Sequence, residues 1–435
     1  MKSVTASATF LLLSVLASHA QQYKVLYSFS GAQSGDGANP FAGLARNSAG
    51  VLYGTTPFGG YSGDPCIGGE QPGCGTVFQL APDGRGGWSE AVLYAFCQGS
   101  GSICNDGSEP QASLVMDAKG NLYGTTAYGG ANTGGAVFEL SPPNGPGAAW
   151  TEAILYNFCS VISGNSCLDG AFPFSPLVFD SAGNLYGTTR AGGSHYDAGT
   201  VFELSPGSSG WTESVLYSFC SVGKPPLCRD GSEPYAGVIL GKAGILFGAA
   251  AYGGSGGNPR ASGTLFELVP GSEGWTESTL VDFLLPGGVS PNAQLNFDSS
   301  GNLYGPLGGG GPHSDGAVFQ YNLTATKLRE LYFDGSNGEG PDGSVLLDPH
   351  HHGFFGTTVY GGVNNPGSTW NGTAYQISPT GKETILYNFC SQPAPTCVDG
   401  ANPMGNLVED SAGNLYGTTE SGGAYNLGVV YEITP

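Results

Sequence analysis

The phrase Gly-Asn-Leu-Tyr-Gly-Thr-Thr occurs three times, at residues 120–126, 183–189 and 413–419. Looser copies begin at Gly50, Gly244, Gly301 and Gly353. The aromatic anchors of the seven copies are Tyr53, Tyr123, Tyr186, Phe247, Tyr304, Phe355 and Tyr416, spaced by 70, 63, 61, 57, 51 and 61 residues. Self-similarity at this period restricts a chain to a solenoid, a propeller or an array of one supersecondary unit.

Each unit holds four strand-like segments. In the second copy these are Ala112–Asp117, Asn121–Thr126, Ala136–Leu140 and Trp150–Phe158. Asp117-Ala118-Lys119-Gly120 supplies the first tight turn, with Asp closing the turn through its side chain and Gly taking the positive φ. Ser-Pro with further Gly and Pro ends the third segment. Strict polar/apolar alternation is poor, as in sheets packed on both faces. Four short antiparallel strands repeated seven times predict an all-β, seven-bladed β-propeller. A solenoid would need capping units at its ends, and no atypical end units occur.

The two ends of the chain predict how the ring closes. Tyr23–Phe29 (YKVLYSF) matches a fourth strand and Val429–Ile433 (VVYEI) a third strand. Pairing them completes the last blade and removes an open sheet edge.

The pattern Gly-Asn-Leu-Tyr-Gly-Thr-Thr…Gly-Gly…Gly-Thr-Val-Phe-Glu-Leu resembles the GloVer tandem repeat of secreted and surface-anchored bacterial proteins, over nearly all of Tyr23 to Pro435. The resemblance implies export and a repeat scaffold, and it implies no defined activity. Members often carry a C-terminal anchoring segment; this chain stops at Pro435, just after a strand. Its fifth unit also departs from the pattern, with Gly305-Pro306-Leu307 in place of Gly-Thr-Thr.

Ten cysteines fall into close sequential pairs: Cys66 with Cys74, Cys97 with Cys104, Cys159 with Cys167, Cys220 with Cys228, and Cys390 with Cys397. An even count with recurring gaps inside single units predicts five local disulfides, each contributing roughly 2–3 kcal/mol in the loop-entropy account. Zinc, the alternative, calls for CxxC spacing or nearby histidines. Met1-Lys2, the apolar run Thr9–Ala17 and Ser18-His19-Ala20 read as a signal peptide over residues 1–20. Residues 21–435 then form one propeller outside the cytoplasm, extracellular or periplasmic, with no transmembrane segment after cleavage and with a monomer as the expected state.

Lys+Arg 13 against Asp+Glu 34 gives a formal charge of −21. That balance argues against nucleic acid or an anionic membrane as partner. Charged residues amount to only 11%, too few to clothe the exposed faces of helices.

The long connections, from the second strand to the third and from the fourth to the next first, open on one face of the disc, where binding is expected. There Asp-Gly-x-x-Pro recurs, starting at Asp36, Asp106, Asp169, Asp230 and Asp399, and Asp342-Gly343 keeps part of it. These carboxylates are expected near the channel mouth, either as an acidic ring for Ca²⁺ or a cationic ligand or as side chains closing their own turns. Phe58, Tyr128, Tyr252 and Tyr360, beside the Gly-Gly pairs, are candidates for stacking on sugars or for packing between blades. His350-His351-His352 replaces a turn on the opposite face and reads as a solvated turn rather than a metal site. Asn322-Leu323-Thr324 and Asn371-Gly372-Thr373 are glycosylation sequons that matter only in a eukaryotic secretory host. No Gly-x-Ser-x-Gly, His-Glu-x-x-His or phosphate loop occurs, and no cofactor is implied. The sequence therefore favours a secreted binding or scaffold module with a carbohydrate or protein ligand. An extracellular polysaccharide hydrolase or lyase is the alternative, since paired carboxylates can come from any two blades.

Overall fold

The computed structural model describes residues 21–61, 66, 72–97, 104–145, 147–255, 262–348, 353–363, 372–391 and 397–435. The expected leader, His350–His352 and Asn371 lie outside these residues. Seven four-stranded antiparallel sheets follow one another around a ring. In the second blade the strands are Val115–Met116, Leu122–Thr126, Ala136–Ser141 and Thr151–Asn157. The last blade joins Val408–Glu409, Leu415–Thr419 and Val429–Thr434 to Gln22–Ser28. Gln22 lies opposite Thr434 and Ser28 opposite Val429, which is the closure expected from the chain ends. Among the described residues no helix is long and apolar enough to cross a membrane.

The repeated letters have distinct jobs. Glycine in the second strand lies under an aromatic ring of the third: a Cβ at Gly124 would lie 2.6 Å from Phe138 Cζ. That buried ring meets the aromatic residue ending the previous blade's fourth strand. Phe29–Phe78, Phe96–Phe138, Phe158–Phe202, Phe219–Phe266, Phe283–Phe319, Phe333–Tyr375 and Phe389–Tyr431 all have centroids 5.0 or 5.1 Å apart. Every junction thus contains such an aromatic pair, worth about 0.5–1.5 kcal/mol beyond the area it buries. The two threonines sew strands and blades together. Thr189 Oγ1 lies 2.8 Å from Thr200 Oγ1, and Thr188 Oγ1 donates to the carbonyl of Pro234 in the next blade at 2.9 Å.

The five cysteine pairs are disulfides, joined as the spacing predicts. Cys66 is bonded to Cys74, Cys97 to Cys104, Cys159 to Cys167, Cys220 to Cys228 and Cys390 to Cys397. In four of them the second cysteine also ties two loops together through its backbone. The carbonyls of Cys104, Cys167, Cys228 and Cys397 accept from the N–H of Gly130, Gly193, Gly254 and Gly423 at 2.7, 2.8, 2.8 and 3.0 Å. Cys167 and Cys228 each end a two-residue strand, opposite Ile162 and Gly223. These four disulfides therefore fasten the loops that carry the motif aspartates Asp106, Asp169, Asp230 and Asp399. The sulfurs of Cys66, Cys74, Cys97 and Cys104 lie within 4.8 Å of one another. Because they are bonded in pairs, they present no thiolate to a metal.

Candidate functional site at the channel mouth

The loops entering five of the seven blades are built around the Asp-Gly-x-x-Pro motif. Asp169 shows how it works. Its Oδ2 accepts from Tyr156 Oη, Ser160 N and Ser160 Oγ, each at 2.8 Å, and its Oδ1 accepts from Val161 N at 3.1 Å. Asp230 repeats this with Tyr217 and Ser221 at 2.7 and 2.8 Å. Asp36 takes Tyr27 and Ser30, Asp106 takes Tyr94 and Cys97, and Asp399 takes Tyr387 and Ser391. These five carboxylates bond to the end of the preceding blade's outermost strand. They do not line the channel mouth, contrary to the expectation from the sequence.

Asp342 differs from the other five. The place of the motif aspartate in its loop is held by Asn337, whose Oδ1 accepts from Asp334 N at 2.9 Å. Asp342 instead follows Pro341, and its side chain enters the channel mouth. The physical cause of the shifted reading is a second Gly, Gly343, placed after Asp342, which imitates an Asp-Gly turn. Burial pushes the Asp342 carboxyl above the ordinary carboxylate range, and the amide of Asn292, donating at 3.3 Å, opposes the shift.

The mouth is lined by Phe41, Gln111, Phe174, Tyr235, Asn292, Asp342 and Met404. Each is the residue directly after the loop proline of its blade, at Pro40, Pro110, Pro173, Pro234, Pro291, Pro341 and Pro403. The residue before each proline is left-handed, with φ of 55° at Asn39, 54° at Glu109, 60° at Phe172, 52° at Glu233, 59° at Ser290, 64° at Gly340 and 57° at Asn402. Proline disfavours helical backbone in the residue before it, and non-glycine residues rarely take positive φ. Hydrogen bonds hold the turn in place. Phe172 N donates to Gly134 O of the preceding blade at 2.7 Å, and Phe172 O accepts from Arg190 N at 3.0 Å. The scaffold therefore fixes seven side chains on one circle, and they are of six kinds, with phenylalanine at both Phe41 and Phe174.

The circle is chemically lopsided. On one side the rings of Phe174 and Tyr235 stand 5.8 Å apart, and the Arg190 guanidinium lies 5.3 Å from the Tyr235 centroid and 5.9 Å from that of Phe174. Glu233 fixes the arginine through a 3.0 Å ion pair. Elsewhere on the circle the side chains of Gln111, Asn292 and Asp342 offer donors and acceptors. The mouth encloses about 350 Å³. Tyr252 forms part of its wall and also borders a groove of about 720 Å³ that runs over Arg190, Tyr196, Pro225 and Pro226.

The remaining candidate aromatics sit just outside the circle. Tyr128 packs on Phe172 and Phe174 at 5.4 and 5.9 Å, and Phe58 meets Phe41 at 6.4 Å. Tyr360 is 40% exposed and lies in the field of Asp342. The circle itself escaped the sequence reading, which followed what recurs. Its signal is the residue after the loop proline, which changes from copy to copy.

No curated protein sequence matches the chain. Among solved structures it resembles a chain of the mitotic checkpoint complex, with 11% identity, 100% of this chain and 97% of that one covered, and a TM-score of 0.50. It also resembles a putative 6-phosphogluconolactonase from Bacteroides fragilis (15% identity, 81% and 85% covered, TM-score 0.45). A periplasmic gluconolactonase from Pseudomonas aeruginosa gives 15% identity, 80% and 85% coverage and a TM-score of 0.44. At such identities the likeness concerns the fold alone. The repeat model for the Gloeobacter/Verrucomicrobia repeat matches residues 13–259 and 234–435, and the chain belongs to that family.

Proposed function

We propose that this propeller is an exported binding module whose mouth takes a carbohydrate. The observation that carries the reading is the circle of seven side chains of six kinds on a scaffold that otherwise repeats. A sugar presents a C–H face and a rim of hydroxyls. Phe174 and Tyr235 supply an apolar platform for the face, and Gln111, Asn292 and Asp342 supply partners for the hydroxyls. Such a mix of apolar wall and few convergent polar groups is the usual make-up of a ligand site. The adjoining groove over Tyr196 gives room for further sugar units. Five disulfides suit an oxidising compartment. Retaining and inverting glycosidases work with two carboxyls at the scissile bond; among the described residues lining the mouth Asp342 is the single carboxyl, which supports binding over hydrolysis.

A glycan array followed by calorimetry tests the proposal. Tyr235→Ala should weaken the best glycan about tenfold or more, as loss of a central aromatic anchor does. Tyr425→Ala, an exposed tyrosine on a different loop, should leave affinity unchanged. An array without a binder, or equal affinity for wild type and Tyr235→Ala, defeats the carbohydrate reading.

A further inference from the structure

The opposite face of the disc carries a second opening, between the fifth and sixth blades, and the other junctions show what shape it has. Four described tryptophans begin fourth strands, and each leans on the anchor tyrosine of the preceding blade. Trp88 meets Tyr416, Trp150 meets Tyr53, Trp211 meets Tyr123 and Trp275 meets Tyr186, at 6.0–6.4 Å between centroids and 63–65° between planes. In the sixth blade the turn from third to fourth strand is shorter, and Gly381 stands at the place of the tryptophan, two residues before Glu383 as Trp211 is two before Glu213. Tyr304 is the anchor it would have met.

The result is a cleft of about 220 Å³. Tyr304, Val318, Leu331, Phe354 and Ile377 form its walls, and the fourth strand of the fifth blade sends Arg329 across it. Arg329 Nη2 lies 2.5 Å from where a Cβ at Gly381 would be. Among the described residues the Arg329 guanidinium has no ion-pair or hydrogen-bond partner. In this strongly acidic chain an unpaired guanidinium beside an aromatic wall is a point where an anion is welcome. At the junction before it the equivalent space is closed, because Leu323 and Leu328 pack against the core around Phe247.

We propose that this cleft binds a small planar aromatic acid, its ring against the wall of Tyr304 and Phe354 and its carboxylate on Arg329. The anchor Tyr304 is held for that contact, since its hydroxyl donates to Asp298 Oδ2 at 3.0 Å and accepts from Gln320 Nε2 at 2.7 Å. Apolar cavities left by a missing side chain are known to accept ligands of that side chain's size. The site lies on the face away from the channel mouth, so it stands or falls independently of carbohydrate binding.

Calorimetric titration with indole-3-acetate is the direct test. One saturable site per chain is expected. Neutral indole should bind about fivefold more weakly, the scale of one exposed ion pair, and Arg329→Ala should remove that preference. Leu331→Trp, which fills the cleft from its wall, should abolish binding. Trp211→Ala opens a cleft of the same kind at a regular junction and should raise the stoichiometry for neutral indole from one to two. Absence of saturable indole-3-acetate binding at millimolar concentration, or binding undiminished by a folded Leu331→Trp protein, overturns the site. Equal affinity of wild type and Arg329→Ala for indole-3-acetate overturns the role given to the acid group.

Discussion

The junctions entering the first four blades and those entering the fifth and sixth solve one packing problem with different parts. In the first group a loop aspartate faces a glutamate on the next fourth strand: Glu90 lies in the field of Asp36, Glu152 of Asp106, Glu213 of Asp169 and Glu277 of Asp230. Burial, added to by the aspartate, pushes Glu90, Glu152 and Glu277 up to about 7 and Glu213 to about 8. At the entry to the fifth blade Gly287 stands for the aspartate and Leu328 for the glutamate. At the sixth, Asn337 donates to Glu383 at 2.5 Å. At the seventh, Tyr23 replaces the glutamate and donates to the Asp399 carbonyl. At the seventh the aspartate stays while the glutamate is replaced, so a carboxyl pair, an amide–carboxyl pair and a hydroxyl–carbonyl contact all occur at these junctions. The tryptophan is the part that can be dropped separately, and dropping it is what leaves the cleft beside Arg329.

This contrast can be broken most forcefully at the regular junctions. Trp211→Ala should destabilise the protein by about 3 kcal/mol, the lower end for losing a large packed aromatic, as measured by denaturant unfolding. Thr326→Ala, two residues before Leu328 and so at the matching position of the fifth blade, should cost less than about 0.5 kcal/mol. Equal costs would show that the tryptophans are not what hold the regular junctions. Asp169→Ala should cost about 2 kcal/mol, because it removes the acceptor of a half-buried tyrosine hydroxyl and of two backbone N–H groups. Asp342→Ala, on the ring side of its loop, should leave stability unchanged or raised, since the carboxyl it removes is desolvated and poorly compensated.

The smallest effect concerns pH. Glu90, Glu152, Glu213, Glu277 and Glu383 titrate near 4.5 when unfolded and near 7 to 8 in the fold. Their folded pKa is raised, so the unfolded chain loses these protons first. Stability is full below pH 4.5 and declines as pH rises through 7 to 8. Asp180, Asp298 and Asp410 run the other way, because hydrogen bonds from their turns outweigh burial, and their contribution is lost only as pH falls below about 4. The melting temperature should therefore be higher at pH 5 than at pH 8, and Glu213→Gln should flatten the slope. A flat profile in the wild type would show that these glutamates are well solvated.

Where the chain repeats itself, the sequence was easy to read. Seven copies of the anchor, Leu-Tyr-Gly in five of them, announce seven sheets, and Tyr23–Phe29 can be matched to a fourth strand because the copies of that strand are so alike. Local pairing of the cysteines followed from gaps that recur within units. The mouth was harder because a site on a symmetric scaffold shows itself where symmetry fails. Phe174, Tyr235 and Asp342 share a circle, yet no periodicity links a phenylalanine, a tyrosine and an aspartate. Only the preceding proline marks the position. The five loop aspartates are expected either at the channel mouth or closing their own turns, and the second holds: each gathers a tyrosine hydroxyl and a backbone N–H, which keeps it out of the channel.

The pairing of Gln22–Ser28 with Val429–Thr434 also has a consequence in time. The strand that completes the ring is among the first parts of the chain to be made and must wait for the last. Closing a loop of roughly 400 residues costs on the order of 5 kcal/mol in chain entropy, so the clasp can snap shut only after the other blades have brought its halves together. Until then two sheet edges stand open and invite association with other chains. A polypeptide released before Val429 never acquires the partner of its first strand. The clasp thus works as a checkpoint, since only a chain that extends through Val429–Thr434 can cover the edge of Gln22–Ser28.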